Sequence, residues 1–180
     1  MAQQEKKALE VLRDIEIRCL QNARGLPLQA EVKRPLLALA FRIGDTQLVA
    51  PLGDVKEILT YPVISRVPKS KEWVKGIANI RGNLLPVMDL QGCLGRGRVP
   101  VNKDCRVLVL NSDDLSAGLM VDEVYGLRYF REEQETNELP VIDESVKKYL
   151  KGSFREDNGL LGIFSMKEFS GSPEFMQVAV

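Results

Sequence analysis

The chain has 180 residues, with 44% hydrophobic and 28% charged, the proportions of one globular domain or two small ones. Lys and Arg number 25 and so do Asp and Glu, which leaves no basic excess to hold a nucleic-acid backbone or an anionic membrane face. With no histidine anywhere, the usual general base, the Ser-His and Cys-His nucleophile pairs and phosphohistidine transfer are all excluded.

In chain order, residues 5–23 read as a helix. Ala8, Leu12, Ile15 and Cys19 share a stripe reinforced by Val11, while Glu10, Arg13 and Glu16 lie on other faces. The stripe packs on the protein's own body or on a partner, and Gly25 and Pro27 end the helix. This N-terminal stretch lacks the apolar core of a secretory signal, and the apolar runs stop short of the roughly 20 residues of a membrane span. A cytoplasmic address without membrane insertion is expected. Cys19, Cys93 and Cys105 are far apart and odd in number, which fits buried, reduced thiols. Without His they complete no zinc set, so neither metal nor cofactor is expected.

After Pro35 the period changes to two. Leu37, Leu39, Phe41 and Ile43 alternate with Ala38, Ala40 and Arg42, Gly44-Asp45 makes a tight turn, and Leu48, Ala50 and Leu52 run back. Residues 55–59 are either a strand or a helical turn capped by Asp54 with Glu57. Val63–Val67 reads as extended, and Ser70 is expected to open a helical turn through Trp73 that Gly76 closes. Ile77–Arg81 and Leu84–Leu90 flank a Gly82-Asn83 hairpin turn. Cys105–Leu110 is an apolar run apart from Arg106, hence a strand buried on both faces or nearly so; Asn111–Ser116 turns the chain, and Ala117–Val121 and Leu127–Phe130 are further strands. Residues 131–138 form a solvated loop. Asp143 caps a helix through Leu150 that ends at Gly152, and a turn at Asp157-Asn158-Gly159 leads into Leu160–Phe164. Ser165 and Glu168 form a capping box, and Met176, Val178 and Val180 suggest a last strand. About ten short strands without βαβ alternation predict small antiparallel sheets or barrels.

Catalytic constellations are hard to assemble from these residues. Gly95-Arg96-Gly97-Arg98 has no third glycine and no P-loop lysine. Asp113-Asp114 lacks the parallel-sheet context of a phosphoacceptor, and Asp122-Glu123 fits a solvated strand end better than a metal or acid–base pair. Contact chemistry is better supplied. Trp73 is the only Trp and is either core or interface, and Arg81 at a hairpin shoulder requires solvent or a carboxylate, for which Glu57 is the candidate.

Residues 55–90 resemble the signature of CheW-like coupling domains, a V-x-E-I segment followed by K-G-x-x-N-x-R-G-x-x-x-P-x-x-D-L. Here these are Lys75-Gly76, Asn79, Arg81-Gly82, Pro86 and Asp89-Leu90. The resemblance continues through RVLVLN (106–111), GLMVDEV (118–124), YLKGSF (149–154) and LLGIFSMKEF (160–169), and so covers about residues 36–170. The N-terminal helix, the W-V-K-G-I-A-N-I-R-G stretch, V-D-E-V-Y-G and the Q-V-A-V ending are most similar to the adaptors of type IV pilus twitching systems. A flagellar or other chemosensory array is the alternative setting.

The resemblance implies a mainly β fold of two SH3-like five-stranded barrels side by side, with an N-terminal extension over 1–35, a CheW-like domain over 36–180 and a second barrel at roughly 103–162. It implies a non-catalytic adaptor between a chemoreceptor's cytoplasmic tip and the regulatory domain of a CheA-type histidine kinase. Val55, Glu57, Arg81, Leu84, Arg106 and Val107 match receptor-contacting positions, Arg106 departing from the apolar character expected there. Lys75 and Gly76 match kinase-contacting positions, and a second kinase-type contact falls near Val141.

Overall fold

The computed structural model describes Arg13, Arg18 and residues 35–111 and 116–179. The helix expected over 5–23 lies outside the described residues apart from those two arginines, as do Cys19, Asp113-Asp114 and most of the turn after Asn111. The chain divides into units of residues 1–33 and 34–180, and the second is described below.

Among the described residues, twelve strands make up two six-stranded sheets. Strands β1 (Leu36–Ile43), β2 (Thr46–Pro51), β9 (Glu123–Phe130), β10 (Glu135–Thr136), β11 (Leu150–Glu156) and β12 (Gly159–Phe164) form one, in the order β10-β11-β12-β2-β1-β9. Strands β3 (Val55–Thr60), β4 (Ile64–Ser65), β5 (Val74–Ile80), β6 (Asn83–Asp89), β7 (Arg106–Leu110) and β8 (Gly118–Val121) form the other, in the order β3-β7-β8-β6-β5-β4. Each has five longer strands and one two-residue edge strand, β10 or β4. Two short parallel pairings, β12 with β2 and β6 with β8, interrupt the antiparallel pattern. The sheets do not divide the chain near residue 103, because β7 and β8 belong with the strands of residues 55–89 while β1 and β2 join the C-terminal strands.

Alternation along the strands explains this interleaving. Ala38 and Ala40 on β1 point into a core with Val49, Phe130, Phe154, Leu161 and Ile163, within the first sheet. Val107 and Val109 on β7 point into a core with Ala78, Leu85, Val87, Cys105 and Met120, within the second. The intervening residues, Leu39, Phe41 and Ile43 on β1 and Leu108 and Leu110 on β7, meet in a third core that both sheets share. That is why β7 reads as an unbroken apolar run after Arg106: Val107–Leu110 is covered on both faces.

Four short helices, α1 (Leu90–Cys93), α2 (Glu144–Lys147), α3 (Met166–Ser170) and α4 (Pro173–Met176), help to close this third core. Val146, Met166, Phe169 and Phe175 reach it from the last three. Phe164 sits in the same core, its ring 6.3 Å from Phe41, 6.0 Å from Tyr149 and 5.7 Å from Phe169 between centroids. Cys105 is buried and Cys93 packs against the shared core, where burial pushes its thiol pKa up.

Several local expectations change. Residues 55–60 take the strand alternative, preceded by a single 3-10 turn at Leu52–Asp54. Ser70–Trp73 is no helix: Ser70 bridges to Ala179, and Gly76 lies inside β5. The helix capped by Asp143 stops at Lys147, because Leu150 already pairs with Phe164. In place of a terminal strand the chain forms α4, whose cap Ser172 accepts from the Phe175 amide. The loop of residues 131–138 contains a 3-10 turn and β10.

Replacing Phe164 with Ala is expected to cost about 3–5 kcal/mol. Because both sheets own that core, fluorescence of Trp73, which packs against it from the turn before β5, and far-UV circular dichroism should report one coincident, shifted urea transition. A transition in which Trp73 unfolds separately would show that the sheets are independently stable.

Candidate docking site on the second sheet

The R-G of the signature is the turn itself. Ile80 pairs with Asn83, so the two residues between them are Arg81 and Gly82, one place earlier than the Gly82-Asn83 expected from the sequence. Both have positive φ, 52° and 87°, the combination that suits a two-residue turn to the twist of the flanking strands. Asn79 supports the turn by accepting a hydrogen bond from the Gly82 amide at 2.9 Å. A left-handed conformation is uncommon for a residue with a side chain, and here it fixes where the guanidinium emerges.

From that position Arg81 meets Glu57 on β3 at 2.7 Å, as its charge required. Arg81 stays 78% exposed against 33% for Glu57, so the pair adds little to stability and keeps donors available to a partner. Leu84, the second residue of β6, is 69% exposed. These three residues line one hollow of about 500 Å³ together with Lys56, Ile80, Asn83, Leu85, Val109 and Ser116. None of those last six is among the residues expected from the sequence. Their place follows from pairing Glu57 with Val109 and Asn79 with Leu84, a register only the folded sheet provides.

The other expected receptor-contacting residues lie elsewhere. Val55 is buried in the shared core and Val107 in the core of its own sheet, so neither lines the hollow or offers a partner side-chain surface. Arg106 pairs with Thr60, three residues along β7 from Val109. Its guanidinium folds back to donate to the carbonyls of Lys103 and Cys105, both at 2.8 Å.

Lys75 and Gly76 have architectural roles. Lys75 Nζ lies 3.4 Å from Oδ2 of Asp89, which is fully buried. Asp89 also accepts from the amides of Gly92 at 3.1 Å and Val99 at 2.9 Å, capping α1 and holding the next loop. Gly76 has φ 137°, and a Cβ there would run into the Ser65 carbonyl oxygen and come within 2.7 Å of Ile64 Cγ2, so only glycine lets β4 approach. Val141 is fully exposed beside a separate hollow of about 710 Å³ lined in part by Arg96, Leu139 and Asp143. It lies on none of the strands and does not line the Glu57 hollow.

The carboxylates Asp122 and Glu123 part company. Asp122 accepts from the Gly44 amide at 2.6 Å and is buried, while Glu123 pairs with Arg42 at 3.4 Å. Among the described residues, no three Cys, Asp or Glu side chains gather as a metal site. None of the described helices is long and apolar enough to cross a membrane.

A family model described as the CheW-like domain matches residues 37–173. The chain belongs to the CheW-like family. The CheW-like proteins it resembles include PilI of Pseudomonas aeruginosa, 40% identical over 171 residues that cover 95% of this chain and 96% of PilI. FrzA of Myxococcus xanthus is 31% identical over 105 residues, 58% of this chain and 64% of FrzA. Chemotaxis protein CheW of Thermotoga maritima is 27% identical over 132 residues, 73% and 85% of the two chains. The crystal structure of the scaffolding protein TtCheW from Thermoanaerobacter tengcongensis shares the fold, with a TM-score of 0.67 and 24% identity over 80% of this chain and 99% of that one. The function supported by these likenesses is that of a CheW-like coupling adaptor in chemosensory signalling.

Much of the CheW-like signature is therefore fold chemistry. Asp89→Ala strands Lys75 and two backbone donors, and is expected to cost about 3 kcal/mol in urea denaturation. Gly76→Ala should destabilise by at least about 2 kcal/mol. Wild-type stability in both variants would remove the architectural reading of these positions.

Proposed function

We propose that the protein is a non-catalytic adaptor that holds the cytoplasmic tip of a chemoreceptor against the regulatory domain of a CheA-type histidine kinase, in the cytoplasm and in a type IV pilus twitching pathway. Membership of the CheW-like family supports the coupling role, and the 40% identity with PilI along nearly the whole of both chains supports the pilus setting. The observation that carries the receptor assignment is the Glu57–Arg81–Leu84 hollow.

That hollow combines the elements of a small contact site. Leu84 supplies exposed apolar surface, and Arg81 supplies directional donors on the same hollow. A left-handed turn pre-sets the arginine, so little backbone ordering remains to be done on binding. An acidic or mixed helical hairpin tip suits this chemistry. The kinase arm is assigned to the β4–β5 surface around Lys75-Gly76, with Val141 as a second contact. In this reading Gly76 and Lys75 act by shaping the sheet edge, and only Val141 presents a side chain fully to a partner. Coupling is then geometric: a shift of the receptor tip is passed through a fixed body to the kinase without any bond being made or broken.

Arg81→Glu retains the same backbone demand at the turn and loses an exposed pair, so its melting temperature should stay within a few degrees of wild type. Its affinity for a purified receptor tip should fall at least about tenfold, while co-elution with the kinase regulatory domain on a sizing column persists. Wild-type receptor affinity would remove the hollow as the receptor site. Failure of the unsubstituted protein to co-elute with the kinase domain would remove the coupling role.

A further inference from the structure

After α4 the chain returns to the second sheet. Phe175 is buried in the shared core and the Ser172 cap holds α4, which fixes the point of departure. From there Ala179 bridges to Ser70, and the Lys71 amide donates to the Val178 carbonyl at 3.0 Å. Lys71 Nζ also donates to Gln177 Oε1 at 3.4 Å. Residues 176–179 are all exposed, so little apolar burial accompanies this pairing. Hydrogen bonds with so little burial make a local contact that opens readily.

The stretch met by residues 177–179 is the connection between β4 and β5. Its far end is tied to β6, where the Asp89 amide donates to the Trp73 carbonyl at 2.8 Å. Its near end leans on the returning chain through Ser70 and Lys71. Ser70, Lys71 and Glu72 line a hollow of about 560 Å³, together with Val63, Arg66 and Val101 among others. Glu72 also meets Arg98, on the same hollow, at 2.6 Å. Lys75 lines it too, so the hollow belongs to the surface assigned above to the kinase arm. Val63 and Val101 are 95% and 53% exposed, and Arg66 and Lys71 add positive charge, a combination that suits an apolar segment carrying carboxylates.

We propose that residues 177–179 are a strap that holds Ser70 and Lys71 in place as a wall of the kinase-docking hollow. No strap residue lines the hollow, so the strap acts by positioning. This inference rests on the kinase reading of the β4–β5 surface. A wall held in advance leaves less chain to be ordered when the kinase domain binds, and its release lowers affinity without removing a contact. The receptor hollow shares no lining residue with this one and is left unchanged.

Deleting residues 177–180 should speed hydrogen exchange at the Lys71 amide at least about tenfold, while Leu108, between β3 and β8 in the middle of the sheet, keeps its protection. The same variant should bind the purified kinase regulatory domain at least about tenfold more weakly, and a receptor tip with unchanged affinity. The Lys71-to-Val178 bond makes Ser70 and Ala179 a pair of the close, non-hydrogen-bonded kind, with Cα atoms about 4.5 Å apart, within disulfide reach. In a Cys19→Ser background, Ser70→Cys with Ala179→Cys should therefore lock the strap under mild oxidation and keep wild-type kinase affinity. Wild-type kinase affinity in the deletion variant, or an unchanged Lys71 amide, would overturn the proposal. So would a locked variant that binds the kinase domain only after reduction, because the strap would then have to leave. If the unsubstituted chain itself does not bind the kinase domain, the kinase reading fails and the proposal with it, an outcome that the wild-type arm tells apart from a failing strap.

Discussion

The core shared by the two sheets is the constraint on which the rest depends. Leu39, Phe41 and Ile43 of β1 meet Leu108 and Leu110 of β7 there, and Val146, Tyr149, Phe164, Phe169 and Phe175 complete it from the C-terminal part of the chain. Apolar burial is non-directional, but strand alternation makes it specific, because a slip of one residue would exchange the two faces of β1 or β7 between cores that need side chains of different size. Neither sheet can therefore shift without opening a cavity against the other. A body of this kind transmits displacement rather than absorbing it, which is the mechanical property an adaptor requires.

On that body the signature motif builds outward in layers. Gly76 admits β4, Asp89 joins Lys75 to α1 and to the following loop, and Asn79 holds the Arg81-Gly82 turn. Only at the tip of the hairpin do side chains turn from architecture to contact: Arg81 reaches Glu57 on another strand, and Leu84 stands in solvent beside them. The glycines and the buried aspartate thus position the arginine without touching whatever it binds.

The fold class and the strands were legible because burial on one or two faces writes period two, or an unbroken apolar run, directly into the chain. The Glu57–Arg81 pair was legible too, since a guanidinium at a turn needs a partner. The sequence did not show which sheet each strand joins. The return of β9–β12 to β1 and β2 rests on contacts between residues more than eighty apart, such as Phe41 with Phe164. Ser70–Trp73 looked helical on local capping chemistry, but the bridge from Ser70 to Ala179 overrides it. Gly76 and Gly152 looked like helix ends, whereas each sits within a strand, at φ 137° and 156°. Val55 and Val107 matched a contact pattern yet lie beneath the surface, because a motif marks position along the chain and not depth.

The central claim is that the receptor tip engages the hairpin hollow of the second sheet. Amide chemical-shift mapping, with isotope-labelled full chain titrated by a purified receptor hairpin tip, tests it most directly. The account predicts the largest shifts at Glu57, at residues 80–85 and at Val109. Shifts confined to Val63, Val67 and Val101, with the hairpin unmoved, would contradict it.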